Sequence, residues 1–215
     1  MTKPHSAEEF AALVTTDFTW RLREVSNLKL AIANAKLEEK NGFLRALVVM
    51  CYAHWEGHAK FCGERYFQFL TKRRLRFSQL KPHFYNIRFL RELSAANGTS
   101  HEQKMNLAHK ICSSLEDRFS HFPKELFDTK SNLNSEVLAD LCLVCGIEFE
   151  IFEDYIDFMD RMLLKRRNEV AHGEAVFIDA VDADDLVDRT TSLMRTFRDE
   201  IDNHVTLQGY RAAPE

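Results

Sequence analysis

Proline and glycine are scarce in this chain, four Pro and seven Gly among 215 residues. So few turn-formers cannot punctuate the many short strands of a sandwich or barrel, and the apolar-periodic stretches between them favour helices. Nowhere is there a run near eighteen uninterrupted apolar residues, so no spanning helix is expected, and Met1 to Phe10 lacks the apolar centre of a secretory signal. The five cysteines, Cys51, Cys62, Cys112, Cys142 and Cys145, are odd in number and fall mostly on apolar helix positions. That does not resemble a disulfide framework, and a reduced, cytoplasmic protein is expected. Neither a P-loop nor a glycine-rich dinucleotide fingerprint is present, so no ATP or NAD chemistry and no cofactor are expected. Positive charge is not in excess either. A net charge of −4 excludes a protein that coats nucleic acid by general attraction, so any nucleic-acid contact must be focal.

What is present is 45% hydrophobic and 29% charged residues, enough for one substantial core. One helical domain over residues 1–215 is expected, with 209–215 as a flexible tail. Ser6 and Glu9 form a capping-box pattern, after which Phe10, Val14, Phe18, Val25 and Ile32 trace one helical face to about Lys40. Asn41 and Gly42 then punctuate, and Leu44 to Phe69 repeat the three-four spacing through about Lys72. A third helix is predicted from about Ser78 to Ala95, with Pro82 near its start and a stop at Asn97-Gly98. Ser100 and Gln103 restart the chain into a helix marked by Leu107, Ile111, Leu115 and Phe119. Leu138 to Cys145 reads as a short helix ending at Gly146. Another runs from about Phe152 to His172, with Gly173 at its C-terminal cap, and a last one carries Leu186 to Ile201. The class is all-α, an up-and-down multi-helix bundle with long first and second helices.

The sharpest local feature is Lys165-Arg166-Arg167-Asn168-Glu169-Val170-Ala171-His172-Gly173, three cations and a histidine in the last two turns of a helix. Arginine, a polar residue, three further residues and histidine at a helix end, then Gly, is similar to the signature of HEPN ribonucleases, matched by Arg167, Asn168 and His172. The segment Tyr52-Ala53-His54-Trp55-Glu56-Gly57-His58 also resembles the toxin-like, defence-associated prokaryotic branch of that superfamily, of MAE type. The likeness spans roughly Phe18 to Ile201. It implies a bundle of HEPN type, a homodimer, and a ribonuclease of toxin–antitoxin or antiviral-defence kind, silenced by a cognate antitoxin or other regulatory protein.

The residues carry a chemical reading of their own. At about 100° per residue, Asn168 and His172 lie about 40° apart, whereas Arg167 and His172 lie about 140° apart on an ideal helix. One helix alone does not build the site, and two copies facing each other across a twofold axis would pool both arginines and both histidines. RNA supplies its own nucleophile in the 2′-hydroxyl. Cleavage then needs a group to take that proton, one to protonate the leaving 5′-oxygen, and a cation for the phosphorane charge, without metal. His172 is the candidate acid or base. Arg167 would hold the scissile phosphate through paired hydrogen bonds, and Asn168 would orient one or the other. Single-stranded RNA suits in-line attack best. The plain alternative is that Lys165 to His172 is a helix end whose cations complement the macrodipole, in a non-catalytic helical dimer binding RNA, nucleotide or a protein partner.

Other features are weaker. Glu56 and Arg166 are candidates for supporting the site, though Glu56 could equally pair with Lys60 four residues on. Gly57 suggests a close helix crossing. Lys165, Arg73 and Arg74 could track RNA phosphates, or simply be solvated helix ends. His54 and His58 do not make a zincin pair, because Trp55 stands where that motif needs glutamate, and no metal is expected. Cys142 and Cys145 form a lone C-x-x-C that fits buried packing.

Overall fold

A computed structural model of the chain describes residues 3–179 and 182–213. It is all-α: among the described residues there is no β-strand, only two isolated bridges, Arg76 with Arg118 and Leu80 with Arg211. Two long helices dominate, α1 (Ala7–Asn34) and α2 (Leu37–Arg73). Shorter ones follow, α3 (Pro82–Ala95), α4 (His101–Ser113) and α5 (Ser135–Cys145). The chain closes with α6 (Arg166–Ala171) and α7 (Asp182–Thr206).

The core lies where α1, α2 and α7 pack on one another. Phe10 meets Phe69 at 6.3 Å, so the start of α1 lies against the end of α2, and the two run antiparallel. Trp55 sets its ring edge-on to Phe197 of α7 at 6.0 Å. Both rings are fully buried, so the middle of α2 is packed into the core.

Several helix ends follow the predicted signals. Ser6 Oγ accepts the Glu9 amide at 3.2 Å, while the Glu9 carboxylate reaches one residue further back, to the His5 amide at 2.7 Å. Ser100 and Gln103 cap each other reciprocally at the start of α4. Gly146 takes the left-handed conformation at the end of α5, φ +72°.

Four expectations are corrected. The first break falls at Ala35-Lys36, both extended, and not at Asn41-Gly42, which lie inside α2. The Glu39 carboxylate accepts the Lys36 amide at 3.2 Å, and Glu38 and Glu39 complement the helix dipole there, while an added Cβ at Gly42 would meet nothing within 4 Å. α4 ends at Ser113, and Phe119 is buried beyond it in an extended segment whose amide donates to the Leu75 carbonyl at 2.8 Å.

The helix predicted over Phe152 to His172 changes pitch twice. A 3-10 stretch, Glu150–Tyr155, leads into a π-helical stretch, Phe158–Lys165, before α6. Finally, Gly209 to Ala212 are not a tail. Tyr210 is buried, its carbonyl accepts the Lys81 amide at 2.9 Å, and the Ala212 amide donates to the Gln79 carbonyl at 3.1 Å. Pro214 and Glu215 lie outside the described residues.

Candidate active site

The site is organised by one stretch of α2, Tyr52 to His58. At about 100° per residue, Tyr52 and Glu56 share one flank of the helix and His54 and His58 the other, with Trp55 and Ala59 facing the core. The two flanks hold different neighbours.

The Tyr52 flank meets α6 and the loop before α5. Tyr52 is buried, and its hydroxyl accepts the Leu133 amide at 2.8 Å. One turn further, the Glu56 carboxylate accepts the hydroxyl of Thr129, also buried. Arg167 lays its guanidinium over the Tyr52 ring, Cζ 4.0 Å from the centroid, and donates from Nη2 to the Ser131 carbonyl. Its Nε is buried without a hydrogen-bond partner. A stack of this kind contributes about 1 to 2 kcal/mol when desolvated. Burial pushes the Tyr52 phenol up, against the opposing pull of the Leu133 amide and the Arg167 guanidinium, so the ring under Arg167 stays neutral.

The loop that carries Ser131 is pinned upstream by Thr129 on Glu56 and downstream by Asn134 and Ser135. Asn134 accepts the Val137 amide at 2.8 Å as the cap of α5, and Ser135 donates from its amide and its hydroxyl to Asp160 at 2.8 and 2.7 Å. Between these anchors Lys130 and Ser131 both turn left-handed, φ 50° and 55°, at a cost of roughly 1 kcal/mol each for residues with a Cβ.

His172 is the C-cap residue just past α6, where the helix closes in a Schellman turn. The Gly173 amide donates to the Val170 carbonyl at 3.1 Å and the Glu174 amide to the Glu169 carbonyl at 3.0 Å. Gly173 has φ +78°, a conformation in which a Cβ is strained. The turn leaves Ala171 to Ala175 exposed, His172 among them, and its imidazole makes no hydrogen bond to the described residues. The His172 amide donates to the Asn168 carbonyl at 2.9 Å. Asn168 and Arg166 are half-buried on the same short helix, and Lys165 is exposed, with its ammonium 3.9 Å from Glu169.

Other sequence-derived candidates are not brought together. Glu56 is committed to Thr129, and among the described residues it contacts neither Lys60, Arg167 nor His172. Arg73 and Arg74 stand about 30 Å along α2 from Tyr52, at 1.5 Å rise per residue. There Arg73 stacks on Phe69, and Arg74 ends the helix with its carbonyl accepting from Arg118 at 2.9 Å. Tyr52, Thr129, Ser131 and Leu133 were not legible as site residues. The signal at hand was the segment Tyr52 to His58, in which Tyr52 stands four residues before Glu56.

The opposite flank is a closed polar cluster with α1. Asp17 takes Arg21 through both carboxylate oxygens, at 2.8 and 3.1 Å, and His58 Nδ1 at 2.7 Å. Beside them His54 Nε2 lies 3.1 Å from Glu24. Burial would raise the Asp17 carboxyl, but the His58 and Arg21 hydrogen bonds outweigh it and hold the carboxyl below its ordinary value. Burial lowers both His54 and His58, so His58 is neutral and donates Nδ1–H to Asp17. The close approach suggested by Gly57 is explained here, since a Cβ at that position would meet Arg21 Nη1 at 2.6 Å. Among the described residues no group of three or more His, Cys, Asp or Glu is placed to hold a metal ion. Cys142 and Cys145 are buried thiols, the former pushed up to about 12 by burial.

An all-helical chain with an arginine and a histidine five residues apart at an exposed helix end is the arrangement on which the HEPN resemblance rested. The chain belongs to the HEPN family: the family described as RiboL-PSP-HEPN matches residues 16–203. That match does not specify the MAE-type branch. No curated protein and no solved structure matches the chain. Among the described residues no helix is long and apolar enough to cross a membrane.

Proposed function

We propose that this chain is an endoribonuclease that cleaves single-stranded RNA by attack of the 2′-hydroxyl on the adjacent phosphate, without a metal ion. The observation that carries the reading is a contrast within α6. His172 projects from an exposed helix end, while five residues earlier the Arg167 guanidinium lies over the Tyr52 ring, with partners among the described residues that do not neutralise its charge.

In the reaction the 2′-oxygen forms a bond to phosphorus and the bond to the 5′-oxygen breaks. One histidine accepts the 2′-hydroxyl proton and the other protonates the leaving oxygen, giving a 2′,3′-cyclic phosphate and a 5′-hydroxyl. Arg167 offers its planar fork to the phosphorane oxygens. Two histidines are available if two copies of α6 face each other, so the enzyme is a homodimer with a composite cleft. Asn168 orients His172, Arg166 and Lys165 add positive charge at the cleft, and Arg73 and Arg74 take no part in the chemistry. A toxin–antitoxin or antiviral-defence setting, with a cognate antitoxin or other protein as regulator, completes the proposal.

A second reading has one observation in its favour: Arg167 is engaged by Tyr52 and Ser131, as an arginine kept for structure would be. On that reading the chain is a non-catalytic helical dimer that binds RNA, nucleotide or protein. Purified protein incubated with single-stranded RNA and EDTA separates the two. Cleavage by the wild type, lost in Arg167→Ala and in His172→Ala, supports the enzyme, and equal inertness of all three supports the module.

A further inference from the structure

The catalytic reading leaves unexplained why the segment around Glu56 presents a buried tyrosine to the functional arginine. Arg167 has a long, flexible stem from a six-residue helix, and nothing in α6 itself fixes the plane of its guanidinium. That plane is set from outside, by the Tyr52 ring 4.0 Å beneath it. Tyr52 lies on α2 three residues before the fully buried Trp55, its ring is itself buried, and its hydroxyl accepts the Leu133 amide. One residue pair thus ties two things together: the ring orients Arg167, and the hydroxyl holds the loop whose Ser131 carbonyl takes Nη2.

We propose that Tyr52 is a positioning residue for Arg167, fixing the guanidinium plane so that a phosphate entering from the exposed end of α6 meets a preset fork in competition with the Ser131 carbonyl. The proposal rests on the ribonuclease reading for its chemical consequence, but the placement itself does not. A guanidinium free to rotate loses part of its advantage for a planar, two-point contact, because the orienting entropy must then be supplied at each turnover. Glu56 acts one step further out, holding the same loop through Thr129.

The test uses Tyr52→Phe, which keeps the ring and removes the hydroxyl, and Tyr52→Met, which keeps apolar bulk and removes the ring. Two readouts are needed. The first is the Arg167 side-chain Nε–H resonance in nitrogen-15-labelled protein, identified by its loss in Arg167→Ala. It is expected to be displaced by the ring current and slow to exchange in wild type and Tyr52→Phe, and to move to the ordinary exposed-arginine position in Tyr52→Met. The second is single-turnover cleavage of a short single-stranded RNA. Tyr52→Phe should stay within about threefold of wild type, and Tyr52→Met should lose roughly 10- to 100-fold in rate with little change in KM.

The pH profile of the remaining activity should be unchanged. The double variant Tyr52→Met with Arg167→Ala should be no slower than Arg167→Ala alone, the signature of one residue acting through another. Additive losses in the double variant, or an Arg167 resonance indifferent to the ring, overturn the proposal. If Tyr52→Met does not fold, an ordinary, unshifted Arg167 resonance in the wild type is sufficient to overturn it, and a displaced one to support it. A displaced resonance in a wild-type protein that cleaves no RNA supports the placement and sinks the nuclease reading instead.

Discussion

Two arginines lean on the same seven residues of α2 from opposite sides, and they are held in opposite ways. Arg21 is met by a carboxylate, doubly bonded to Asp17, with Gly57 leaving room for its head and two histidines completing the surround. The partners of Arg167 among the described residues, the Tyr52 ring and the Ser131 carbonyl, carry no formal charge. A buried guanidinium neutralised at close range has no unmet demand for an anion and serves the fold. One whose plane is fixed while its charge stays uncompensated retains that demand. On the proposed function, Arg21 holds α1 on α2 and Arg167 serves the chemistry.

The comparison is broken most directly by exchanging the expected effects. Arg167→Ala and His172→Ala should each lower RNA cleavage by about a thousandfold or more, since they remove phosphate stabilisation and proton transfer. Urea unfolding should show Arg167→Ala within about 2 kcal/mol of wild type, the scale of its stack on Tyr52. Arg21→Ala is the mirror image, and should cost about 3 to 5 kcal/mol by leaving the Asp17 charge buried with no cation, only His58 and the Trp20 indole N–H to meet it. A stable, inactive Arg21→Ala beside an unstable, active Arg167→Ala would reverse the assignment.

Gly57→Ala tests the same cluster more gently. The new methyl must displace the Arg21 head, against a gain in helix propensity of about 1 kcal/mol, so a net loss of about 1 to 2 kcal/mol is expected by denaturant titration, with cleavage unaffected at temperatures where the variant is folded.

The smallest effect is on pH. His54, His58 and His83 all have folded-state values lowered by burial, His83 to about 4. The unfolded chain therefore binds more protons than the native one once the pH drops below about 6.5, and stability falls with acidification. Asp17, also lowered, reinforces the trend at lower pH, where its ion pair is lost. Between pH 7 and 5 the loss attributable to His83 alone should be on the order of 1 to 2 kcal/mol, and His83→Gln should flatten that part of the curve. A stability that rises on acidification would mean that these histidines are charged in the native protein.

How far the sequence could be read depended on the range of the interactions. Helices and caps are local, and Ser6, Ser100 with Gln103, Gly146 and Gly173 announce themselves through neighbours three to six residues away. The Ala35-Lys36 break was not legible, because neither residue is a turn-former and the stop is enforced by the cap at the start of α2. The docking of Tyr210 under α3 depends on backbone pairing with Gln79 and Lys81, some 130 residues earlier in the chain. In the candidate site, Arg167, Asn168 and His172 were nominated by the resemblance of their pattern to the HEPN signature. Tyr52 was not singled out, because its significance comes from an arginine 115 positions away. Glu56 was noticed for the right segment and the wrong neighbour: its partner is Thr129, on a loop that periodicity describes only as polar.

The π-helical stretch just before α6 makes the motif sensitive to where a residue is lost. Its wide turns accommodate more residues over the same span than an α-helix would, with Phe158, Met159, Leu163 and Leu164 all buried to anchor it. Deleting a single residue there would let an ordinary helix cover the same span with little change in the direction of Arg167, whereas the same deletion within α6 would rotate everything after it by about 100° about the axis. A descendant of this chain could thus lose one residue of the wide turns with Arg167 still over the Tyr52 ring, while the same loss a few residues later would undo that placement.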